Sequence, residues 1–300
     1  MKKKTYLFAL MAMALTLGSC SDNENGIGGE TSKYITVSTS IGNMTRVATD
    51  AKGGQTFEEG DEISVYAWTG APTVAPETSE RVVNNAINKL TNGTWVSTPQ
   101  MLWKNNRDKH YFIGVYPISA ISDLSAGEYT FDVNKQTESD LLVAVNKDGL
   151  SYNVDEQQTV PLTFTHVMAK LVVNLTYKNQ WGGIPTVEKV VVGNAAKEAT
   201  INYLTKVVTP STTAKEDFSL PEITENTKYV SVIIPQEEVT QLTIVIGGKN
   251  FVYDNGTPFK LESGKITTVN LEVGRDEIKL GDVKITNWED GSTFSGEALN

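Results

Sequence analysis

Apolar and polar residues alternate along most of the chain. In "MAKLVVNLTY", Ala169, Leu171, Val173, Leu175 and Tyr177 fall on one side of an extended backbone, and Lys170, Asn174, Thr176 and the following Lys178 on the other, with Val172 the one apolar exception. Successive side chains of a strand point to opposite faces, so this is the pattern of a strand with one buried face. "KITTVNLEV" repeats it, with Val269, Leu271 and Val273 set against Thr268, Asn270 and Glu272, and "QLTIVIGG", "DEISVYAW" and "KYITVSTS" follow suit. In "DEISVYAW" the inward positions are Ile63 and Val65, fed by a turn at Gly60-Asp61. Asn92-Gly93 in "INKLTNGTWVS" predicts a two-residue hairpin, and Asn255-Gly256 in "FVYDNGTPFKL" predicts a second. "ERVVNNAINKL" spaces Val82, Val83, Ala86, Ile87 and Leu90 as a helix face would, and a strand entering the Asn92-Gly93 turn accounts for it equally well. The pattern predicts an all-β protein built from sandwiches.

The amino-terminal segment departs from this pattern. Lys2, Lys3 and Lys4 precede "YLFALMAMALTL", an apolar run of roughly a dozen residues, which is signal-peptide length and too short to span a bilayer. The chain holds one cysteine, Cys20, placed directly after this run. One cysteine excludes an internal disulfide, and one cysteine with two histidines, His110 and His166, excludes an ordinary zinc site. "LTLGSC" looks like the cleavage box of bacterial lipoproteins. By that resemblance residues 1–19 are the signal peptide, Leu17, Gly18 and Ser19 are read by the signal peptidase, and Cys20 becomes the acylated (palmitate-bearing) terminus. Residues 20–32, "CSDNENGIGGETS", are polar, acidic and Gly-rich and are expected to form a flexible tether. Their acidic residues resemble a surface-export signal, and a plain solvated linker explains them equally well.

The rest is expected to divide into an N-terminal sandwich, residues 33–158, and a C-terminal one, residues 159–300, cut at the polar stretch "DEQQTVP" that ends in Pro161. Charge then narrows the partners. Asp and Glu number 36 against 26 Lys and Arg, for a formal charge of −10. A surface of that sign argues against nucleic acid.

The chemical motifs are missing: there is no G-x-S-x-G, H-E-x-x-H, P-loop or G-x-G-x-x-G. The carboxylate pairs Glu58-Glu59, Asp61-Glu62 and Glu237-Glu238 are expected in solvated loops, because glycosidase carboxylates face each other across a cleft instead of lying adjacent. The sequence gives no reason to assign catalytic residues, a metal or a cofactor, and the expectation is a protein that is not an enzyme. His166, just before a strand, is expected to be a structural hydrogen-bonding residue. Trp288 is expected to pack on a sandwich rim. Trp68, Trp95, Trp103 and Trp181 lie near turns or strand ends. There they either pack on rims, the reading we favour, or offer flat rings to a sugar; the second alternative makes the protein a monomeric surface module for glycan or host ligand.

Several phrases in order resemble the fimbrillin family, the lipoprotein pilins and adhesion proteins of certain Gram-negative bacteria: "TRVATDAKGGQTFEEGDEISVYAW", "HYFIGVYP", "TESDLLVA", "LTFTHVMAKLVVNL", "PFKLESGKITTVNLEV" and "VKITNWEDG". The resemblance implies two tandem transthyretin-like (Greek-key) β-sandwich domains. It also implies attachment to the outer membrane, exposure at the cell surface, partnership with other fimbrillin-like subunits, and assembly into fimbriae after cleavage between Arg46 and Val47. On that implication a first strand carrying Ile35, Val37, Thr39 and Ile41 on one face is displaced. A C-terminal strand carrying Ile278, Leu280, Val283 and Ile285 is the candidate donor.

Overall fold

The computed structural model describes residues 33–42, 56–156, 158–275 and 278–288. In chain order the strands of the first half are β1 (Thr36–Ile41), β2 (Glu62–Thr69), β3 (Arg81–Thr91), β4 (Thr94–Thr98), β5 (His110–Tyr116), β6 (Gly127–Thr130), β7 (Leu142–Leu150) and β8 (Thr159–His166). Then follow β9 (Ala169–Tyr177), β10 (Val187–Ala196), β11 (Glu198–Asn202), β12 (Val207–Pro210), β13 (Lys215–Ser219) and β14 (Glu222–Thr224). The last are β15 (Lys228–Ile233), β16 (Gln236–Ile246), β17 (Lys249–Leu261), β18 (Lys265–Val273) and β19 (Ile278–Asn287). The protein is all-β.

One seven-stranded sheet, ordered β1-β8-β7-β5-β2-β3-β4, makes the first half. It curls until its two edges meet. Ile35 N–H donates to Met101 O at 2.9 Å, Trp103 N–H donates to Lys33 O at 3.2 Å, and Tyr34 bridges Leu102. The enclosed core holds Ile35, Val37, Ile63, Val65, Trp95, Met101, Phe112, Leu162 and Phe164. The central strands are buried on both faces: Tyr66 and Trp68 of β2 and Ile113 and Val115 of β5 belong to a second core, shared with the C-terminal half. There a five-stranded sheet, β14-β15-β9-β18-β19, and a four-stranded sheet, β13-β10-β16-β17, enclose Leu171, Val173, Leu242, Ile244, Phe251 and Val269. A small sheet, β12-β11-β6, pairs a strand from the first half with a hairpin from the second, Ala199 facing Tyr129 and Ile201 facing Gly127.

The alternation in β9 and β18 is realised as expected, with Ala169, Leu171, Val173 and Leu175 buried beside Val269, Leu271 and Val273. One expectation is revised, one open alternative is decided, and the strand pairing bears on the expected cut. Asn92-Gly93 is a hairpin turn, with φ of +50° and +72° and Thr91 paired to Thr94, but Asn255-Gly256 is not, because β17 runs through it. The β16–β17 turn is Gly247-Gly248, at φ +58° and +71°, closed by the Ile246–Lys249 pair. Two glycines give both positive φ angles without steric cost, so the turn forms there. "ERVVNNAINKL" is a strand, not a helix. Its register shifts between the Ala86 and Val83 pairs, and Asn85 sits at φ +56°. That bulge moves burial from Arg81 and Val83 to Ala86 and Asn88, which mimics a helical spacing. Finally, the cut expected at 158/159 would part β8 from its ladder partners β1 and β7. The chain changes sheets at Val167-Met168.

Candidate functional site

β1 is attached unequally on its two sides. Toward β8 it forms a parallel ladder from Thr36↔Thr159 to Ile41↔Phe164, extended by Gly42 N–H to Phe164 O at 2.7 Å. On the solvent face Thr36 and Thr159 share a hydroxyl contact of 3.2 Å, and Ser40 Oγ donates to Thr163 Oγ1 at 3.2 Å. On the core face Ile35 and Val37 are 2% and 6% exposed, and Ile41 is half-buried. Toward β4, no ladder runs alongside β1 among the described residues. Here a cleft of about 670 Å³ is lined by Val37, Thr39, Ile41, Phe57, Leu90 and Trp95. Across it Trp95 Nε1–H donates to Thr39 Oγ1 at 3.0 Å. Phe57 fills the inner end, edge-on to Trp95, Tyr116 and Phe164 at 5.3, 5.4 and 5.1 Å. Burial raises the Tyr116 phenol pKa.

β8 depends on β1 for most of its pairing. It meets β7 only over Phe164, Thr165 and His166, whereas β1 covers it from Thr159 to Phe164. Phe164 in turn lies over Gly114 of β5, where an added Cβ would come 2.6 Å from Phe164 Cζ.

At the other end of the chain, β19 is an edge strand that pairs, among the described residues, only with β18. Ile278, Leu280, Val283 and Ile285 stand opposite Val273, Leu271, Val269 and Thr267. Their spacing breaks period two between Leu280 and Val283, and a bulge at Gly281-Asp282 corrects it: both residues face Asn270, whose Nδ2 donates to Asp282 O at 3.0 Å. The four apolar residues therefore share one face. Ile278 and Leu280 are half-buried against the core, while Val283 and Ile285 are 38% and 39% exposed. Past the strand, Trp288 stacks on His166 at 4.1 Å and 5°, its N–H donates to Gly264 O at 3.1 Å, and Lys170 Nζ lies 5.6 Å over its ring. Burial lowers the Lys170 pKa.

The other singled-out residues have structural partners. His166 Nδ1–H donates to Asp140 Oδ1 at 2.8 Å. His110 is fully buried; Nδ1–H donates to Asp108 O and Nε2 accepts from Lys104 N–H, both at 3.0 Å. Burial lowers its pKa, and this bonding fixes the neutral tautomer. Trp68, Trp95 and Trp103 are buried, and the Trp181 indole donates to Val273 O at 3.0 Å beneath the Arg275 guanidinium. Glu59 and Asp61 accept backbone N–H groups of turns, and Glu237, on β16 and not in a loop, pairs with Lys260 at 2.5 Å. Cys20, Arg46 and Val47 lie outside the described residues.

The sequence singles out Trp95 as a packed ring but not its place in the cleft, and it does not single out Phe57 or β8. The aromatic residues carry no local signal for a cleft, because their partners are distant in sequence. β8 falls in "TVPLTFTH", whose polar start and Pro161 mark it as a boundary and hide its pairing with β1.

The family model described as fimbrillin-like matches residues 45–288. The chain belongs to the fimbrillin-like family. Among solved structures it is similar to a candidate cell adhesion protein of Bacteroides uniformis, at 18% identity and TM-score 0.63, covering 85% of this chain and 98% of that one. A second candidate cell adhesion protein, from Bacteroides ovatus, matches at 16% identity and TM-score 0.60 over 85% and 98%. At these identities the likeness is one of fold. No curated protein matches this fimbrillin-like chain.

Proposed function

We propose that the protein is a surface subunit of a fimbria or an adhesin, held at the outer membrane as a precursor by lipid on Cys20 and assembled by strand exchange, the lipid leaving with the amino-terminal piece. Cleavage between Arg46 and Val47 frees β1 from the rest of the chain; β1 leaves, and a strand from another fimbrillin-like subunit enters the groove. The observation that carries this reading is the one-sided attachment of β1. Its loss would leave β8 with an unpaired edge and empty the pockets of Ile35 and Val37, and only a strand with the same period restores both ladder and core. The role is structural and not enzymatic, and we take the two sandwiches to divide at Val167-Met168. Solved relatives described as cell adhesion proteins support the surface role. The occupied tryptophan rings favour assembly over glycan capture as a monomer.

Two variants test the two steps. Cys20→Ser is expected to abolish labelling by a fatty-acid analogue and to release the protein from the membrane; a mutant that stays bound beside an unlabelled wild type contradicts the anchor. Arg46→Ala, expressed with the matching protease, is expected to remain at full size and monomeric. Maturation to wild-type size and oligomers would remove Arg46 from the account.

A further inference from the structure

We propose that β1 controls how firmly the chain holds its own C-terminal edge strand, through β8 and His166. With β1 in place, Trp288 fastens the end of β19; when β1 leaves, that fastening loosens. The device rests on the strand-exchange reading above for its purpose and supplies its regulation: an uncut subunit keeps its C-terminal edge closed. β19 needs a fastening because burial does little to hold it. Of its ten residues only Ile278, Leu280 and Thr286 are half-buried, and the rest are exposed. Its ladder to β18 is interrupted at the bulge, so an opening of β19 starts from the Val283 to Asn287 end. Trp288 closes that end. Its ring lies parallel to His166, its N–H reaches Gly264 O, and beside it Asn287 Oδ1 accepts from Lys265 Nζ.

His166 is the last residue of β8, and two lines of contact run to it from β1. Along β8, Phe164 is the ladder partner of Ile41 and accepts the Gly42 N–H, and His166 follows two residues on in the same strand. Across the sheet, Phe57 touches both Phe164 and Tyr116, and Tyr116 pairs with Leu142, which is also the partner of His166. Without β1, β8 keeps, among the described residues, only the three ladder pairs with β7 that end at His166. So short a ladder opens more often than one backed by a second strand. A gap of about 1 Å already forfeits up to half of a van der Waals contact, so the stack on Trp288 responds to small displacements of His166. The Gly264 turn rests on the same residue: at φ +65°, an added Cβ would come 2.9 Å from His166 O. Both contacts of Trp288, ring and N–H, therefore depend on His166. Beyond it the chain is pinned, since Val167 N–H donates to Leu141 O at 3.0 Å and Val167 O accepts from Ser263 Oγ at 2.8 Å. The loosening reaches β19 and leaves β9 in place.

The coupling is read in the uncut chain, by amide hydrogen exchange followed on peptides. Ile35→Ser combined with Val37→Ser loosens β1 without removing it. Exchange across residues 278–288 should then quicken roughly tenfold, the equivalent of one aromatic stack, while β16 exchanges as in wild type. Coupling between two sites is reciprocal, so Trp288→Ala should quicken exchange in β1 and in residues 159–163 by a similar factor. Trp288→Phe, which keeps a ring on His166, should restore most of that protection. Should the serine pair fail to fold, the Trp288 arm decides alone, because that residue is half-buried and lies past the last strand.

Val192→Ala in β10 is the control for a general loss of stability. It opens a cavity in the C-terminal core and should leave β1 exchange unchanged. Protection of β19 that persists while β1 exchanges faster overturns the coupling. So does protection of β1 that persists in Trp288→Ala, or a quickening of β1 by Val192→Ala as large as that by Trp288→Ala. Cleaved wild type that stays monomeric would remove strand exchange but not this coupling, because the exchange is measured before any cut.

Discussion

Gly114 shows how a single residue supports the groove. Phe164, fully buried, lies on the bare Cα of Gly114, so Gly114→Ala would push β8 outward. We expect a loss of about 1–3 kcal/mol, as for other overpacked cores, read as a lower urea midpoint. His110 gives the molecule an acid sensitivity at the opposite edge of the same core. Its folded pKa lies below the ordinary value because burial disfavours the cation. Its contribution is therefore complete above about pH 6.5 and declines as pH falls below that, where only the unfolded chain takes up the proton. The urea midpoint should fall between pH 7 and pH 5.5, and His110→Asn should flatten that dependence; equal slopes would contradict it. The inward positions Ile35 and Val37 could be read from alternation alone. The Trp95–Thr39 bond and the Trp288–His166 stack could not, since each joins residues far apart in the chain and neither leaves a periodic trace.

Elements were legible where one face is wet and less so where a strand bends. β9 and β18 follow period two from end to end, and their sequences suffice to place them. β3 and β19 each carry a bulge that shifts the phase by one residue. In β3 that shift imitates a helix; in β19 it brings Leu280 and Val283 onto one face despite their three-residue spacing. Turn chemistry was misassigned at Asn255-Gly256 because Gly247-Gly248 meets the same requirement without any side-chain cost. Gly248 sits at φ +71° with open space around its missing Cβ, so Gly248→Ala should cost about 1–2 kcal/mol from backbone strain alone. Thermal unfolding checks this, and an unchanged midpoint would mean that the turn has another form.

At the scale of the whole molecule, the halves share a core and a sheet. Tyr66, Trp68, Ile113 and Val115 pack with the second half, and β6 pairs with β11 across the junction. Near- and far-ultraviolet circular dichroism should therefore report one coincident unfolding transition, whereas two separated transitions would mean independent domains. The expected pair of sandwiches captured the class of fold. It did not foresee that the first sheet would close on itself and leave β1 as the weakly flanked strand beside a cleft. That placement underlies the assembly account, and one measurement addresses it most directly. The purified lipoprotein is cut with an arginine-specific protease and run without boiling on a denaturing gel, beside Arg46→Ala. A ladder of oligomers from the wild type and a single band from the variant is the predicted result. A single monomer band from fully cleaved wild type would contradict strand exchange.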